Sequence, residues 1–179
     1  MNFWKLFGIE QGKGADNAAY GALFNELEQH AMGLSDDEVK LITGLSGLLG
    51  KLAYSDRNIS DDELAVAKKV LTAKTSISPE LFDKVLQIVK QHTLELVGLE
   101  DHLYLKLLNE ISSKDEKLEI LESLFALAAA DSKICSAEER DLSVISKGLR
   151  LAHEEYIVIK RRYSDSLASL NTNIRKTSS

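Results

Sequence analysis

Two short stretches of the sequence carry oxygen-bearing side chains in the same order. They read "AYSDRNISDDE" at residues 53–63 and "AAADSKICSAEE" at residues 128–139, and an aspartate, an isoleucine and a glutamate recur at equal spacing in both. Carboxylate, amide and backbone oxygens are the ligands that Ca²⁺ and Mg²⁺ take in proteins. These stretches, the first and second bend, are therefore predicted to bind a divalent cation through Asp56, Asn58, Glu63, Asp131 and Glu138.

The same spacing also predicts helix caps. In a capping box, a serine oxygen accepts a hydrogen bond from the backbone N–H three residues later, and a glutamate there reaches back to the serine N–H. Capping alone explains the acidic spacing, and neither bend matches the EF-hand pattern, so both interpretations stay open and any cation is expected to bind weakly. Cys135 takes the usual cap position of the second bend. The capping box of that bend is therefore expected one residue later, at Ser136 and Glu139. The four predicted boxes are Ser35–Glu38, Ser60–Glu63, Ser113–Glu116 and Ser136–Glu139.

Side chains that could support catalysis are scattered along the chain. The four histidines lack the clustered spacing of metal ligands, and no histidine pairs with Cys135 in the sequence. The sequence therefore favours a non-enzymatic protein. The alternative is a metal-assisted hydrolase, in which a cation held at an acidic bend activates a water molecule. The histidines are His30, His92, His102 and His153.

Composition narrows the class of protein. The 179-residue chain has a formal net charge of -6, which argues against nucleic acid as a partner because phosphate backbones repel it. A single cysteine rules out an intramolecular disulfide and thiolate zinc clusters, and it fits a reducing, cytoplasmic compartment. No apolar run approaches the roughly 18 residues of a membrane span, so a soluble protein is expected.

Charge is unevenly placed along the chain. The first bend is acidic, whereas the C-terminal end carries Lys160, Arg161 and Arg162, followed by Arg175 and Lys176. A molecule with one acidic and one basic face can recruit different partners or associate head to tail. The expected partner is therefore a protein, whose identity the sequence does not give.

The N-terminal segment, 1–14, is an aromatic stub. Phe3, Trp4 and Phe7 lie close together around Lys5. A segment of this kind contacts a membrane surface peripherally, here the inner face of the cytoplasmic membrane, or packs on its own domain or on the neighbouring subunit of a homodimer.

Apolar residues recur at helical spacing through most of the remaining chain, and no stretch with strand periodicity competes. The sequence therefore predicts an all-α fold of about seven or eight helices. They form one domain at residues 15–168, with its core at 35–165, followed by a polar tail at 169–179. The predicted helices are residues 16–32, 36–55, 60–74, 79–97, 100–111, 114–130, 136–151 and 154–168.

Three glycines recur every third residue within the predicted helix at 36–55. They are Gly44, Gly47 and Gly50. Each costs about 1 kcal/mol against alanine in a helix interior, so a run of three calls for a compensating reason. We expect another helix to approach this one closely at the glycines.

The two bends extend into a longer internal repeat. At the offset that aligns Asp56 with Asp131, Leu52 aligns with Leu127, Val70 with Ile145, and "SPELF" (78–82) with "HEEYI" (153–157). The repeated unit is a helix, an acidic bend, a helix, a short connection and a helix. Two such units are expected to pack about a pseudo-twofold axis and bury their apolar faces together.

These residues resemble the tellurite-resistance TerB-like family of small bacterial helical domains. The family pattern is a helix ending in Ala-x-Ala-Asp-Gly, an apolar residue, and a helix opening with Ser/Asp-x-x-Glu. It appears here as "LAYSDRNISDDE" and "LAAADSKICSAEE", and the segment "LYLKLLNEISSKDEKLEILESLFALAAAD" is also similar. The resemblance covers roughly residues 35–165.

The resemblance implies a small helical module in stress-linked or tellurite-linked pathways, with a weak role for a divalent ion. Related domains are also appended to a membrane-anchored J-domain co-chaperone, which implies regulatory protein contacts. The chain departs from the family pattern where Arg57 and Ser132 replace the glycine after each aspartate. This replacement weakens the second bend more than the first, where Asn58 tolerates the left-handed conformation.

Overall fold

The computed structural model describes residues 21–31, 33–53, 60–75, 77–96, 101–130 and 133–164. These ranges form eight helices and contain no strand, which confirms the predicted all-α class. The predicted stub with Phe3, Trp4 and Phe7 and the predicted polar tail lie outside the described residues. The helices are α1 (Gly21–His30), α2 (Asp36–Ala53), α3 (Asp61–Lys74), α4 (Pro79–Leu96), α5 (Asp101–Ile111), α6 (Lys114–Ala128), α7 (Ser136–Gly148) and α8 (153–164).

Helix α2 is the centre of the fold. Residues 42–50 are buried without interruption, and α2 contacts α1, α3, α4, α5 and α6. A helix that is apolar on all sides must be covered on all sides, which explains why so many neighbours pack on it. The buried hydroxyl of Thr43 donates a hydrogen bond of 2.7 Å to the carbonyl oxygen of Val39, so this hydroxyl is paired within the core.

The close helix approach predicted from the glycines is confirmed at two of them. A Cβ atom on Gly44 would lie 2.6 Å from Cγ of Leu108, and one on Gly47 would lie 2.6 Å from the ring of Tyr104. Both partners belong to α5. Because real Cβ atoms do not approach carbon this closely, the absence of a side chain at these positions is what lets α5 lie against α2.

The bounds of the helices repeat at the offset found in the sequence. Helices α2 and α6 end at Ala53 and Ala128, and α3 and α7 begin at Asp61 and Ser136, so both pairs of bounds show that offset. Helices α4 and α8 begin at residues 79 and 153, one residue short of that offset. The equivalent helices α2 and α6 also contact each other, as an axis between the two units requires. The order of elements predicted for a duplicated unit is therefore confirmed.

Aromatic side chains attach α8 to α6. The ring of Phe125 lies 5.8 Å from that of Tyr156 and 5.5 Å from that of Tyr163, measured between centroids. The Tyr163 hydroxyl donates a hydrogen bond of 3.0 Å to the carbonyl oxygen of Glu122. Within the described ranges, no helix combines the length and the apolar character needed to cross a membrane.

Candidate functional site

The first bend ends in a complete capping box. Ser60 has an extended backbone, and its hydroxyl oxygen accepts a hydrogen bond of 3.1 Å from the Glu63 N–H. The Glu63 carboxylate in turn accepts one of 2.7 Å from the Ser60 N–H. Two of the four backbone donors that a helix start leaves unpaired are thereby satisfied. The predicted cap is confirmed, and Glu63 is held in one orientation.

The second bend is capped by a sulfur atom. Helix α7 begins at Ser136, so the N-cap is Cys135 and the third helical residue is Glu138. The Cys135 sulfur accepts a hydrogen bond of 3.5 Å from the Glu138 N–H, and the Glu138 carboxylate accepts one of 2.7 Å from the Cys135 N–H. The predicted cap one residue later, at Ser136 and Glu139, is therefore wrong, because the helix starts at the same point of the repeat as α3.

The remaining two predicted boxes are also present. The Glu38 carboxylate accepts a hydrogen bond of 3.0 Å from the Ser35 N–H, and the Glu116 carboxylate accepts one of 2.7 Å from the Ser113 N–H. Hydrogen bonds from the Ser113 side chain and backbone lower the pKa of Glu116 below its usual value. The acidic residues at the helix starts thus have a structural role, whether or not they also bind a cation.

Of the five predicted cation ligands, the structure describes Glu63 and Glu138, each in the cap of its own bend. Asp56, Asn58 and Asp131 lie outside the described residues. Within the described ranges, no group of three or more histidine, cysteine, aspartate or glutamate side chains is placed to hold a metal ion. The cation site therefore stays a prediction that depends on the residues between the helices.

The two bends differ in the charge exposed around their caps. At the first bend Asp61 and Asp62 are exposed while Glu63 is 8% exposed. At the second bend the corresponding residues are Ser136 and Ala137, and Lys133 is exposed. The first bend therefore offers a cation more negative charge than the second.

A groove runs beside Glu63 between α3 and α4. Its walls are apolar, its floor is formed by α2 with one residue of α6, and its volume is about 40 Å³. The predicted hydrolase would need a polar pocket at a bend, and among the described lining residues this groove offers one hydroxyl and one carboxylate. We call it the α3–α4 groove, and its lining includes Ser46, Glu63, Leu64, Ala67, Phe82 and Leu86.

Ion pairs tie the end of α2 that leads into the first bend to α5 and to α7 of the second unit. The Lys51 ammonium contacts the carboxylate of Asp101 on α5 and lies 3.4 Å from that of Asp141 on α7. Burial lowers the pKa of Lys51, but the hydrogen bond and charge of Asp101, together with Asp141, outweigh it and raise the pKa. We did not predict this cluster; a lysine inside the apolar run "GLLGKLA" was the signal for it.

The basic residues of α8 are largely paired with acidic neighbours. Lys160 contacts the Glu139 carboxylate, and Arg162 contacts that of Glu122. The hydrogen bond that Lys160 donates to Glu139 raises the pKa of Lys160. Arg161 is exposed. The predicted basic face is therefore, at these positions, a mixed surface.

A second depression, the acidic cleft, lies where α2 and α6 begin and α3 and α5 end. It has a volume of about 440 Å³. Lys74 lies 2.5 Å from the Glu119 carboxylate at its side, and Leu41, Ile111 and Ile120 contribute apolar surface. The acidic residues that border it are Asp37, Glu38, Glu116 and Glu119.

Comparison with known families decides the relationship of this chain. A family model described as tellurite resistance protein TerB matches residues 42–161, about two thirds of the chain. The chain belongs to the TerB family. The matched region contains both bends of this TerB-family chain and every helix from most of α2 into α8. No curated protein and no solved structure gave a significant match.

Proposed function

We propose that this TerB-family chain is a non-enzymatic cytoplasmic module that acts through protein contacts and binds a divalent cation weakly at the first bend. The observation that carries the proposal is the fixed carboxylate of Glu63 at the start of α3, with exposed Asp61 and Asp62 beside it. The family name links such a module to tellurite resistance, and we adopt that stress-linked setting as part of the proposal.

The first bend is the better candidate for the cation. One oxygen of the Glu63 carboxylate makes the capping bond, so the side chain can cap α3 and still face a cation. Hard cations such as Ca²⁺ need six to eight oxygens, which Asp56, Asn58 and backbone carbonyls of the bend would have to complete. Without the EF-hand pattern we expect an affinity in the weak range, near millimolar.

The acidic cleft is the surface we assign to protein contacts. It combines apolar side chains with four carboxylates and one lysine, so it suits a segment that carries both apolar and basic residues. Opposite charge on the partner would accelerate association and make binding sensitive to salt.

Side chains that could support catalysis have structural partners instead, which supports a non-enzymatic role. The Cys135 sulfur accepts a capping hydrogen bond, the His153 ring stacks on Tyr156 at 6.2 Å, and Lys51 is held between two carboxylates. A nucleophile or general base would need a neighbouring group that activates it.

A calorimetric titration with Ca²⁺, Mg²⁺ and Mn²⁺ tests the cation part. The informative variant is Glu63→Gln, because glutamine retains the capping bond and loses the charge. Asp56→Asn removes charge from the bend itself, and Glu138→Gln is the matched control in the second bend. We expect heat from the wild type and from Glu138→Gln, and a strong loss in the other two. If no variant changes the heat, or the wild type gives none at millimolar ion, the cation site is wrong.

Affinity capture from cells tests the protein-contact part. Glu119→Lys reverses charge in the acidic cleft, and Glu122→Lys, one turn further along α6, serves as its control. We expect a set of captured proteins that Glu119→Lys depletes and Glu122→Lys retains. Equal recovery with both variants would show that the acidic cleft is not the contact surface.

A further inference from the structure

An open depression of about 250 Å³ lies between α6 and α8, and its centre is apolar. Val158 is 52% exposed, Leu118 is half-buried, and the buried Ile159 completes the apolar lining. Single exposed apolar side chains are ordinary at a protein surface, whereas one that continues into an apolar depression offers a surface for contact.

Four charged residues surround this apolar centre, with opposite signs next to each other. Lys114 lies one turn before Leu118 on α6, and its ammonium is 2.7 Å from the Glu155 carboxylate on α8. Glu122 lies one turn after Leu118 and contacts Arg162 on α8. Along α6 the charge is therefore positive and then negative, and along α8 it is negative and then positive. We call this surface the α6–α8 face; it consists of Lys114, Leu118, Glu122, Glu155, Val158 and Arg162.

The equivalent side of the first unit is buried. At the offset of the repeat, the three α6 positions of the face correspond to Val39, Thr43 and Gly47 on α2, which are all buried. Helix α1 packs on both α2 and α4, and α5 lies against Gly47. The fold thus covers this side of one unit with helices, whereas in the other unit the described residues at these positions are half-buried or exposed.

We propose that the α6–α8 face binds the same face of a second copy of this chain, related to the first by a twofold axis. When the helices of the two copies lie antiparallel, Lys114 of one copy faces Glu122 of the other, Glu155 faces Arg162, and the apolar centres meet. The antiparallel arrangement also sets the helix dipoles in opposite directions. This inference goes beyond the proposed function and depends on neither the cation site nor the acidic cleft.

The charge pattern favours a second copy over an unrelated partner. The charges of the two pairs cancel, so the face has no excess of either sign with which to attract a strongly basic or a strongly acidic molecule. An alternating pattern is matched only by a surface with the inverse arrangement, and the face itself, after half a turn, is such a surface. The side chains of Lys114 and Arg162 stay 69% and 62% exposed beside their partners, so both can reach a second molecule.

The size of the face predicts a weak dimer. The outer charges on α6 are two turns apart, and with side chains the face measures about 20 Å by 22 Å, so a dimer would bury about 900 Å² in total. Interfaces below about 1,200 Å² belong to weak, transient complexes, and we expect a dissociation constant of about 100 μM. Because such a dimer dissociates at the low protein concentration of a capture experiment, Glu122→Lys remains a control for the acidic cleft.

Sedimentation equilibrium of the full-length protein measures the association directly. With a dissociation constant of about 100 μM, mass action predicts a weight-average mass near that of the monomer at about 10 μM and about 1.7 times that mass at about 0.5 mM. A mass that stays at the monomer value over this whole range would overturn the proposal.

Two exposed valines provide matched variants. Val158 is 52% exposed and Val144, on α7 and outside the α6–α8 face, is 54% exposed. Val158→Asp places a charge in the apolar centre and should raise the dissociation constant at least about tenfold, because the contact would desolvate that charge. Val144→Asp should leave the dissociation constant unchanged, and circular dichroism checks that both variants fold. Equal dissociation constants for the two variants would show that the contact lies elsewhere.

Exchanging one charge pair separates contact between copies from pairing within one molecule. The double variant Glu122→Arg/Arg162→Glu keeps an ion pair inside each molecule, but it places like charges opposite Lys114 and Glu155 of the second copy. We expect a dimer about tenfold weaker, with an unchanged urea unfolding midpoint. If the exchange leaves the dissociation constant unchanged, the antiparallel contact through the α6–α8 face is wrong.

Discussion

Glu63 and Glu138 hold the same place in the two bends. Each is the third residue of its helix, and each carboxylate accepts a hydrogen bond of 2.7 Å from the backbone N–H of its N-cap. The acceptors on the N-caps differ, since Ser60 presents an oxygen at 3.1 Å and Cys135 a sulfur at 3.5 Å. Sulfur is the weaker acceptor, so the second cap is the weaker one.

Placing serine at the second cap and cysteine at the first should change the free energy of unfolding in opposite directions. Cys135→Ser should raise the free energy of unfolding by a few tenths of a kcal/mol, about 0.5, and Ser60→Cys should lower it by a similar amount. Ser60→Ala, which removes the acceptor altogether, should cost about 1 kcal/mol. Urea unfolding followed by circular dichroism measures all three. If both exchanges changed the free energy of unfolding in the same direction, the conclusion that the sulfur cap is the weaker one would be wrong.

Removing the ammonium of Lys51 should destabilise the protein more than removing an exposed one. Lys51→Met leaves the carboxylates of Asp101 and Asp141 without their shared cation. Breaking a fully buried pair costs roughly 3–5 kcal/mol, and because Lys51 keeps some contact with solvent we expect about 2 kcal/mol. The control is Lys106→Met, whose partner Glu110 lies 4.0 Å away at the surface, and it should cost less than about 0.5 kcal/mol. Equal losses would show that the Lys51 cluster contributes no more to stability than a surface ion pair.

Adding a methyl group to Gly47 should separate α2 from α5. Alanine favours a helix over glycine by about 1 kcal/mol, but overpacking a filled interface costs about 1–3 kcal/mol. We therefore expect Gly47→Ala to lower the free energy of unfolding despite its better helix propensity. Tyr104→Ala opens space opposite, and in a double-mutant cycle it should make Gly47→Ala less harmful or stabilising. A stabilising effect of Gly47→Ala in the wild-type background would contradict the close packing.

Acid should weaken the cap of α6. The pKa of Glu116 is lower in the folded protein than its usual value of 4.5, so its contribution to stability is present above that pH and is lost as the pH falls through the folded pKa. Glu116→Gln should reduce the slope of stability against pH in this range, measured by urea unfolding between about pH 5 and pH 3. Ser113→Ala, which removes the side-chain hydrogen bond that lowers this pKa most and keeps the backbone one, should also reduce the slope. An unchanged slope in both variants would rule out this linkage.

Local sequence patterns predicted most of the fold. Seven of the predicted helices match described helices within a few residues, and three of the four capping boxes are where the sequence places them. These features depend on residues three or four apart, which a sequence shows directly. The fourth box was misplaced because Ser136 is the better cap by residue type, whereas the start of α7 is set by the repeat.

Contacts between distant parts of the chain could not be predicted in the same way. Lys51 meets Asp101 and Asp141 across long intervals of sequence, and the charge pattern near Lys51 does not point to either partner. The α3–α4 groove likewise arises where four helices meet. The cation site stays a prediction, and of its five proposed ligands the structure describes Glu63 and Glu138.

The position of α5 has a consequence for how this duplicated protein can be divided. Helix α5 lies between the two repeated units in the chain, yet its Tyr104 and Leu108 fill the surface left open by Gly44 and Gly47 of the first unit. A polypeptide that stops after α4 therefore lacks the layer that seals its own central helix. Two separately produced fragments should stay unfolded alone and regain structure on mixing, as complementary parts of one cooperative unit.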